Sequence, residues 1–431
     1  MIQQDELPVS NSTGRAGRLL FLDSWVLGGS TIFNAGLGAL LADSHGYQVS
    51  GYSLEPIDEA AFGRELIRFP VQGAKRRRLT RRGWLADSFE ALRQIDPGRL
   101  ICTVNWWNCE MARHLPERVV KIGVVHAVDP QVIERACLYS EYFDAIVSVS
   151  RLGFERLTGA LPQPRCPVHF IPPGILMPAA GWQRLSNKDQ PLRLLYLGRL
   201  TQPSKRARDM VGIVKALRKN QVPFQWTIAG DGDEREYIRT SLEDAGIKEV
   251  VMLGAVNHGE VAGLFATHDV IVFTSEQEAF PLSLQEAMAH GMVPVAARAP
   301  GRVSEVVDLA GGFLVDINDA EGFALAIAKL DADRELLNRM SSQAAAAIPQ
   351  DLSWSSIAAR WHQLLSSPAL QPRDQEPWPA KVRIQPNPVP LFPGCPGWVK
   401  EAFDWLLEKI DRLDFQHVRR IRRIGYRLRG R

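Results

Sequence analysis

Two successive series of short, continuous apolar runs constrain the fold of this chain more than any other feature of its sequence. The first series lies at residues 18–23, 100–105, 119–125 and 144–150, and the second at 192–198, 224–230, 250–254, 269–275 and 293–297. The runs are rich in β-branched residues and continuous rather than alternating, as strands of a parallel sheet buried on both faces must be. Amphipathic stretches separate them, so each series predicts a βα repeat and hence a doubly wound α/β domain.

The proline- and glycine-rich segment IPPGILMP at 171–178 interrupts the repeat and predicts the boundary between two domains. A length of 431 residues fits two such domains with extensions. The predicted organisation is a disordered leader at 1–17, a first domain at 18–175, a linker at 176–190, a second domain at 191–350, a closing helix at 351–366, a Pro-rich arm at 367–397 and a basic amphipathic helix at 398–431.

The segment from Ser275 to Ala297 carries the most specific chemistry in the sequence. It leaves a predicted buried strand, passes through a turn and enters a helix near Pro281, whose missing N–H costs nothing at a helix start. The backbone N–H groups of Leu282, Ser283 and Leu284 are then expected to point outward and to attract a diphosphate.

Two carboxylates flank this helix start. Glu278 lies in the turn and Glu286 in the second helical turn, so both can line one crevice at the carboxyl ends of the strands. Their oxygens can accept hydrogen bonds from the hydroxyl groups of a sugar or a ribose. The structural alternative is that Glu278 caps the helix dipole and that Glu286 is an exposed helix carboxylate.

A basic turn at 198–206 supplies the complementary charge. Arg199 follows a predicted strand, and Lys205 is expected to begin the next helix. A cation in the first helical turn opposes the helix dipole, and a bound diphosphate would reverse the sign of that interaction. The alternative is a solvated basic loop.

These segments resemble the retaining GT-B glycosyltransferases of the group 1, or family 4, type. EAFPLSLQE at 278–286 matches the family's motif of two glutamates separated by seven residues, and GRL…KR at 198–206 matches its phosphate-gripping arginine and lysine. The likeness is strong over 190–365 and faint over 18–175. It implies a GT-B fold, with two doubly wound Rossmann-like domains facing each other across a cleft and a C-terminal helical extension.

The resemblance also implies a role for each matched residue. Arg199 and Lys205 would neutralise the donor diphosphate, Glu286 would bind the nucleotide ribose, and Glu278 would bind the transferred sugar. Further donor contacts would come from Val256, near the base, and from the backbone around Phe280, Pro281, Leu282 and Ser283.

Residues of the first half are expected to complete the site. Gly28 and Gly29 follow the first strand and allow a ligand to approach the backbone closely. His126 ends a predicted strand and resembles the family's histidine that contacts the transferred sugar. A hydrogen-bonded structural histidine is the alternative.

The function implied is retaining transfer of a sugar from a UDP- or GDP-linked donor to a hydroxyl of a glycan or lipid-linked acceptor. His126, Glu278, Arg199 and Lys205 would carry catalysis, with neither a metal ion nor a cofactor. The alternatives are a GT-B enzyme of small-molecule sugar metabolism, of the sucrose or trehalose synthase type, and a non-catalytic GT-B membrane or scaffold module.

Charge distribution, rather than the net charge of +3, indicates a second partner. Six of the eight residues from Lys75 to Arg82 are basic, and seven arginines lie between Arg419 and Arg431. Such patches attract anionic lipids, whereas nucleic-acid binding lacks the support of interleaved aromatic residues. The polar N-terminus and the lack of a long apolar run favour a cytoplasmic protein, with peripheral association at the inner face of the membrane.

Cysteine spacing indicates no metal or disulfide site. The five cysteines are widely spaced, and no C-x-x-C pair occurs.

Overall fold

The computed structural model describes residues 17–25, 28–55, 57, 67–74, 81–161, 166–178, 190–276, 278, 280–299, 302–372 and 377–379. Residues 1–16 of the predicted leader, residues 179–189 of the linker and the basic helix predicted at 398–431 lie outside these residues. The basic stretch from Lys75 to Arg82 is described only in the backbone of its last two residues.

The first domain contains a parallel sheet of seven described strands in the order β3-β2-β1-β4-β5-β6-β7. The strands are β1 (Arg18–Leu22), β2 (Gln48–Ser53), β3 (Val71–Gly73), β4 (Arg99–Thr103), β5 (Val120–Val125), β6 (Ala145–Ser148) and β7 (Val168–Phe170). The helices that connect them are α1 (Gly29–His45), α2 (Arg81–Ile95), α3 (Trp106–His114), α4 (Pro130–Leu138) and α5 (Arg151–Ala160).

The second domain contains a parallel sheet of six described strands in the order β10-β9-β8-β11-β12-β13. The strands are β8 (Leu192–Leu197), β9 (Phe224–Ala229), β10 (Val250–Gly254), β11 (Val270–Phe273), β12 (Val293–Ala297) and β13 (Phe313–Val315). The helices are α6 (Asp209–Lys219), α7 (Arg235–Asp244), α8 (His258–Thr267), α9 (Leu282–Ala289), α10 (Arg302–Leu309), α11 (Ala320–Ala332) and α12 (Arg334–Ala346), and α13 (Trp354–Leu365) follows them.

The strand order of each sheet reverses once, between β1 and β4 in the first sheet and between β8 and β11 in the second. The loops on either side of such a reversal diverge and leave a crevice at the carboxyl ends of the strands. The segments containing Arg199 and Glu278 follow β8 and β11, so the topology places them on either side of the reversal. The two sheets and their helices confirm the predicted α/β fold class of two doubly wound domains.

Two adjacent crossings connect the domains. The chain leaves the first domain through Ile175, whose N–H donates to the Leu352 carbonyl oxygen at 3.0 Å, and Ile175 also pairs with Ser353 as a parallel bridge. Helix α13 then returns to the first domain, where Trp361 is fully buried and its ring lies 5.9 Å from that of Phe33 on α1. The first domain therefore includes a helix that follows the second domain in sequence.

Part of the Pro-rich arm contacts the same domain. The Trp378 indole Nε1 donates to Asp96 Oδ1 at 2.8 Å, and its ring packs edge-on against Phe89 of α2. In the described part of the chain, no helix combines the length and the apolar character needed to cross a bilayer.

Candidate functional site

Lys205 and Glu278 meet across the reversal point of the second sheet. The Lys205 Nζ lies 2.5 Å from Glu278 Oε1, and both side chains are partly exposed, at 20% and 14%. The turns that carry them are joined by two more hydrogen bonds: Thr274 Oγ1 donates to the Lys205 carbonyl at 2.8 Å, and the Glu276 N–H donates to the Ser204 carbonyl at 2.9 Å. These hydrogen bonds between the two turns keep the ammonium and the carboxylate in contact.

The prediction that Lys205 begins a helix is wrong. Helix α6 begins at Asp209, four residues later, and Lys205 lies in the turn before it. An acidic residue rather than a lysine occupies the first helical turn, which suits the helix dipole. Lys205 is therefore positioned by its contacts with the β11 turn and not by helical geometry.

Arg199 lies in the same turn, and its carbonyl accepts a hydrogen bond from the Tyr196 hydroxyl at 2.9 Å. Its side chain is exposed and makes no hydrogen bond or ion pair within the described residues. Burial raises the pKa of Tyr196, so this hydroxyl stays protonated and remains a donor. The guanidinium is available to an anion that enters the crevice.

Two glycines of the turn AGDG at 229–232, which follows β9, allow this arrangement. Gly230 and Gly232 have φ angles of 149° and 152°, which residues with a side chain rarely adopt. A Cβ atom on Gly230 would collide with the Gly198 carbonyl oxygen, and one on Gly232 with that of Leu200. The AGDG turn therefore packs directly against the backbone on both sides of Arg199.

Glu286 is buried, with 6% of its surface exposed, so the alternative of an exposed helix carboxylate is wrong. Its Oε1 accepts a hydrogen bond from the Leu176 N–H, 110 residues earlier in the chain, at 3.0 Å. Burial raises the pKa of this carboxyl to about 7, and the hydrogen bond from Leu176 opposes the increase. Glu286 thus ties α9 to the crossing between the domains. Glu278 and Glu286 have separate partners in this structure.

The start of α9 differs in detail from the prediction. Pro281 is the residue that precedes the first helical residue, and the Leu282 N–H is already bonded to the Phe280 carbonyl at 2.9 Å. Within the described residues, the N–H groups of Ser283 and Leu284 have no acceptor. Two of the three predicted donors are therefore left for an anion.

His126 follows β5 at the carboxyl edge of the first sheet. Its ring lies 5.1 Å from that of Phe33, and its Nε2 is buried with no hydrogen-bond partner in the described part of the chain. Burial lowers the pKa of His126 to about 4, so the imidazole is neutral near pH 7. The alternative was a structural histidine held by hydrogen bonds. Among the described residues, Nε2 makes no such bond.

The glycine turn after β1 lies at the carboxyl edge of the same sheet. Gly28 precedes α1 and Gly29 is its first residue. Among the described residues, a Cβ atom on Gly29 would meet no atom within 4 Å, so they leave space beside this backbone for a ligand. Val256, two residues beyond β10, is half-buried against the core of the second domain.

Sequence reading missed Asp23, which comes directly after β1. It is 2% exposed and accepts hydrogen bonds from Asn34 Nδ2 and the Ser24 N–H, both at 2.8 Å. Burial raises the pKa of its carboxyl. The contact with Asn34 joins the end of β1 to the second turn of α1. The acidic end of RLLFLD at a strand terminus was a usable signal.

A cavity of about 380 Å³ was also missed. It lies between the domains, and its lining includes Arg151, Phe170, Phe280, Arg302, Asp351 and Arg360. No sequence signal joins these residues, because they come from five separate parts of the chain. Among the described residues, no cluster of three or more His, Cys, Asp or Glu side chains has the arrangement of a metal site.

Comparison with known proteins shows which family the second domain resembles. Residues 182–347 match the family model described as glycosyl transferases group 1. Arg199, Lys205, Glu278 and Glu286 all lie in that range. The second domain is similar to the group 1 glycosyltransferases, and the two domains together have the GT-B fold.

Individual relatives are distant. The lipopolysaccharide core biosynthesis glycosyltransferase LpsE of Rhizobium meliloti is 29% identical over 36% of this chain and 45% of its own length. The chain spans about half the length of the curated relatives it matches.

Two solved structures share the fold. Anabaena HepE, in complex with UDP and glucose, is similar with a TM-score of 0.65 and 18% identity, over 81% of this chain and 99% of HepE. A sucrose-phosphate synthase from Thermosynechococcus elongatus is similar with a TM-score of 0.61 and 18% identity, over 80% of this chain and 98% of its own.

Proposed function

We propose that this protein is a retaining glycosyltransferase that moves a sugar from a UDP- or GDP-linked donor to a hydroxyl of a glycan or lipid-linked acceptor. The observation that carries this proposal is the Lys205–Glu278 contact at the reversal point of the second sheet. A nucleotide-sugar offers each of these groups a better-matched partner, because it joins a diphosphate to a ring of hydroxyl groups. Its entry replaces one ion pair by an ammonium–phosphate contact and by hydroxyl–carboxylate hydrogen bonds.

The positive groups of the site would stabilise the leaving diphosphate. Arg199 and Lys205 provide two cations, and the start of α9 provides the N–H groups of Ser283 and Leu284. Groups already aimed at developing charge lower the barrier without reorganising during the reaction. In this scheme the protein itself supplies the positive charge that stabilises the leaving diphosphate, a role that a divalent cation can fill in other enzymes.

Retention follows from reaction on one face of the sugar. The bond between the anomeric carbon and the diphosphate oxygen breaks, and the acceptor oxygen bonds to the same carbon from the same side. The acceptor proton passes to an oxygen of the leaving diphosphate. Glu278, in contact with Lys205, binds sugar hydroxyls rather than attacking the anomeric carbon.

His126 would complete the sugar site from the first domain. Because burial keeps its imidazole neutral near pH 7, it acts in this scheme by hydrogen bonding to the transferred sugar and not as an acid. Its Nε2, which lacks a partner among the described residues, is the atom assigned to that bond. Closure of the two domains would then exclude water from the donor.

Substitution of Lys205 and Glu278 tests the proposal. UDP-glucose or GDP-mannose should stabilise the wild-type protein against heat, because a ligand that binds only the folded state raises its stability. We expect Lys205→Ala to weaken donor binding by about tenfold or more, since one charge-assisted contact is lost. Glu278→Gln should abolish most turnover.

Lys215→Ala is the matched control, because Lys215 is exposed on α6. Donor binding and turnover that survive both site substitutions would overturn the proposal. Donor binding without transfer to any acceptor would favour the non-catalytic alternative. Transfer to free small sugars but not to glycans or lipid-linked sugars would favour the small-molecule alternative.

We also propose that the protein associates with anionic membranes through the basic residues from Lys75 to Arg82 and from Arg419 to Arg431. Each basic residue near a membrane surface contributes about 1 kcal/mol. Deletion of 398–431 should therefore reduce co-sedimentation with phosphatidylglycerol vesicles several-fold, and vesicles of phosphatidylcholine should bind neither form. Equal binding of the full and shortened chains to anionic vesicles would count against this role of the tail.

A further inference from the structure

The cavity between the domains lies next to the proposed sugar site. Its lining includes Phe280, two residues after Glu278, and Ser150 and Arg151 at the start of α5. Its volume of about 380 Å³ is in the range of sites that hold small molecules. A group bound here would be adjacent to the donor sugar and would contact both domains.

Three arginines from three separate elements line this cavity. They are Arg151 on α5, Arg302 on α10 and Arg360 on α13. Two carboxylates, of Glu305 and Asp351, also belong to the lining. Only one ion pair forms among these groups in the described structure: Arg302 Nη1 lies 3.3 Å from Glu305 Oε2.

The other two arginines have no carboxylate partner among the described residues. The Arg151 guanidinium lies 4.7 Å from the centroid of the Phe170 ring, and Arg360 Nη2 donates to the Phe170 carbonyl oxygen at 2.9 Å. Phe170 thus positions both guanidiniums from one strand end. Each guanidinium has five N–H donors, so most of them remain available to an anion.

The backbone adds to the positive potential. Helices α5 and α10 both begin at this cavity, with Arg151 and Arg302 as their first residues. A helix start carries a partial positive charge, which favours negative groups nearby. A cation at such a position is unfavourable by itself and becomes favourable when it shares an anion with the helix.

We propose that this cavity binds an anionic group of the acceptor, the phosphate or carboxylate of a charged sugar, with Arg151 and Arg360 as its main ligands. This inference rests on the proposed function, because it assigns the charge of the acceptor for the same reaction. The anion holds the acceptor beside Phe280 and so directs its hydroxyl toward the anomeric carbon of the donor.

The test measures binding by titration calorimetry to the full chain, saturated with whichever of UDP and GDP it binds more tightly. The probes are glucose 6-phosphate, glucuronate, inorganic phosphate and uncharged glucose, at constant ionic strength. We expect at least one of the two charged sugars to bind about tenfold or more tightly than glucose, because each bond to a charged group adds affinity. Comparison of the two charged sugars identifies the phosphate or the carboxylate as the source.

Arg151→Gln should weaken that binding by about tenfold. Its side chain is exposed and makes no hydrogen bond within the described residues, so the fold should be retained. Arg360→Lys, which keeps the charge but loses the fork of donors, should weaken it less. The control is Arg239→Gln on α7, where the arginine pairs, among the described residues, with Glu236 and Glu243 on the same helix.

The two proposals fail in distinguishable ways. Failure of the wild-type chain to bind either UDP or GDP would contradict the proposed function. Normal nucleotide binding with no preference for either charged sugar, or with a preference that Arg151→Gln leaves unchanged, would overturn the anionic acceptor site. Binding of inorganic phosphate but of neither charged sugar would also overturn it, because the cavity would then hold an adventitious ion only.

Discussion

Glu278 and Glu286 belong to one short motif but have different chemical environments. Glu278 is partly exposed and contacts an ammonium group, whereas Glu286 is buried and has a single backbone N–H as its described partner. Burial disfavours the charged form of a carboxyl group, and one hydrogen bond only partly offsets that effect. The pKa of Glu286 is therefore about 7, so the protonated and the ionised forms are both populated near pH 7.

The raised pKa of Glu286 makes stability depend on pH. Its value is about 7 in the folded chain against 4.5 for an unperturbed carboxyl. Between these values the unfolded chain releases a proton that the folded chain retains, so stability falls as pH rises. We expect Glu286→Gln to remove this loss, which amounts to roughly 3 kcal/mol above pH 7. Urea unfolding of the ligand-free protein at pH 5 and pH 8 measures it.

Glu335→Gln, on the exposed surface of α12, is the control for that comparison and should follow the wild type at both pH values. The same Glu286→Gln protein should bind nucleotide-sugar more weakly if Glu286 contacts the ribose. We expect the unfolding free energy of the wild type to fall, relative to that of Glu286→Gln, from pH 5 to pH 8. If it does not fall, the burial of the Glu286 carboxylate does not raise its pKa as inferred.

At the scale of elements, two turns rather than two helices build the proposed donor crevice. The turn after β8 carries Arg199 and Lys205, and the turn after β11 carries Glu278. A backbone hydrogen bond from Glu276 to Ser204 and a hydroxyl hydrogen bond from Thr274 to Lys205 join them. The glycines of the turn after β9 pack closely against the turn after β8. The geometry of the cations depends on how closely these three chain segments approach one another.

Gly230→Ala tests this close packing. The new methyl group would collide with the Gly198 carbonyl oxygen, and the φ angle of 149° is strained for alanine. We expect a loss of about 1–3 kcal/mol in unfolding free energy and weaker UDP binding, because the Arg199 turn must move. Chemical denaturation and UDP titration measure the two effects.

Gly263→Ala gives the matched control on α8. An added Cβ atom there meets no atom within 4 Å, so helix propensity alone should raise stability by up to about 1 kcal/mol. If both variants behaved alike, the close approach of the turns would not be limiting.

At the scale of the whole molecule, α13 links the end of the second domain to the first. Its indole at Trp354 fills the space above Gly36 of α1 and Gly174 of the crossing, and Arg99 donates to the Leu365 carbonyl oxygen at 3.1 Å. The return of this helix also brings Arg360 into the cavity between the domains. Helix α13 therefore both connects the two domains and contributes a residue to the proposed acceptor site.

Trp361→Ala should lower the unfolding free energy of the first domain by about 3–5 kcal/mol, because a fully buried indole is replaced by a cavity. Guanidinium denaturation with tryptophan-independent detection measures the loss. Leu325→Ala, at a side chain that is 56% exposed on α11, should change stability by less than about 0.5 kcal/mol. A small effect at Trp361 would mean that α13 is not part of the first domain's core.

The amino-acid sequence by itself determined the two βα repeats and the places of the basic turn and the two-glutamate motif within the second repeat. Buried parallel strands require continuous apolar runs, and helix starts and glycine turns leave local signatures, so these features can be read within a few residues of chain. The α/β class and the positions of Arg199 and Glu278 after strands were accessible for that reason.

The tertiary structure alone decided how these residues are used. The burial of Glu286 depends on Leu176, 110 residues away, and the position of Lys205 depends on the turn after β11. The cavity with Arg151, Arg302 and Arg360 forms only when two crossings and a returning helix bring distant segments together. Such contacts leave no periodicity in the sequence, because their energies come from burial and charge between residues far apart in the chain.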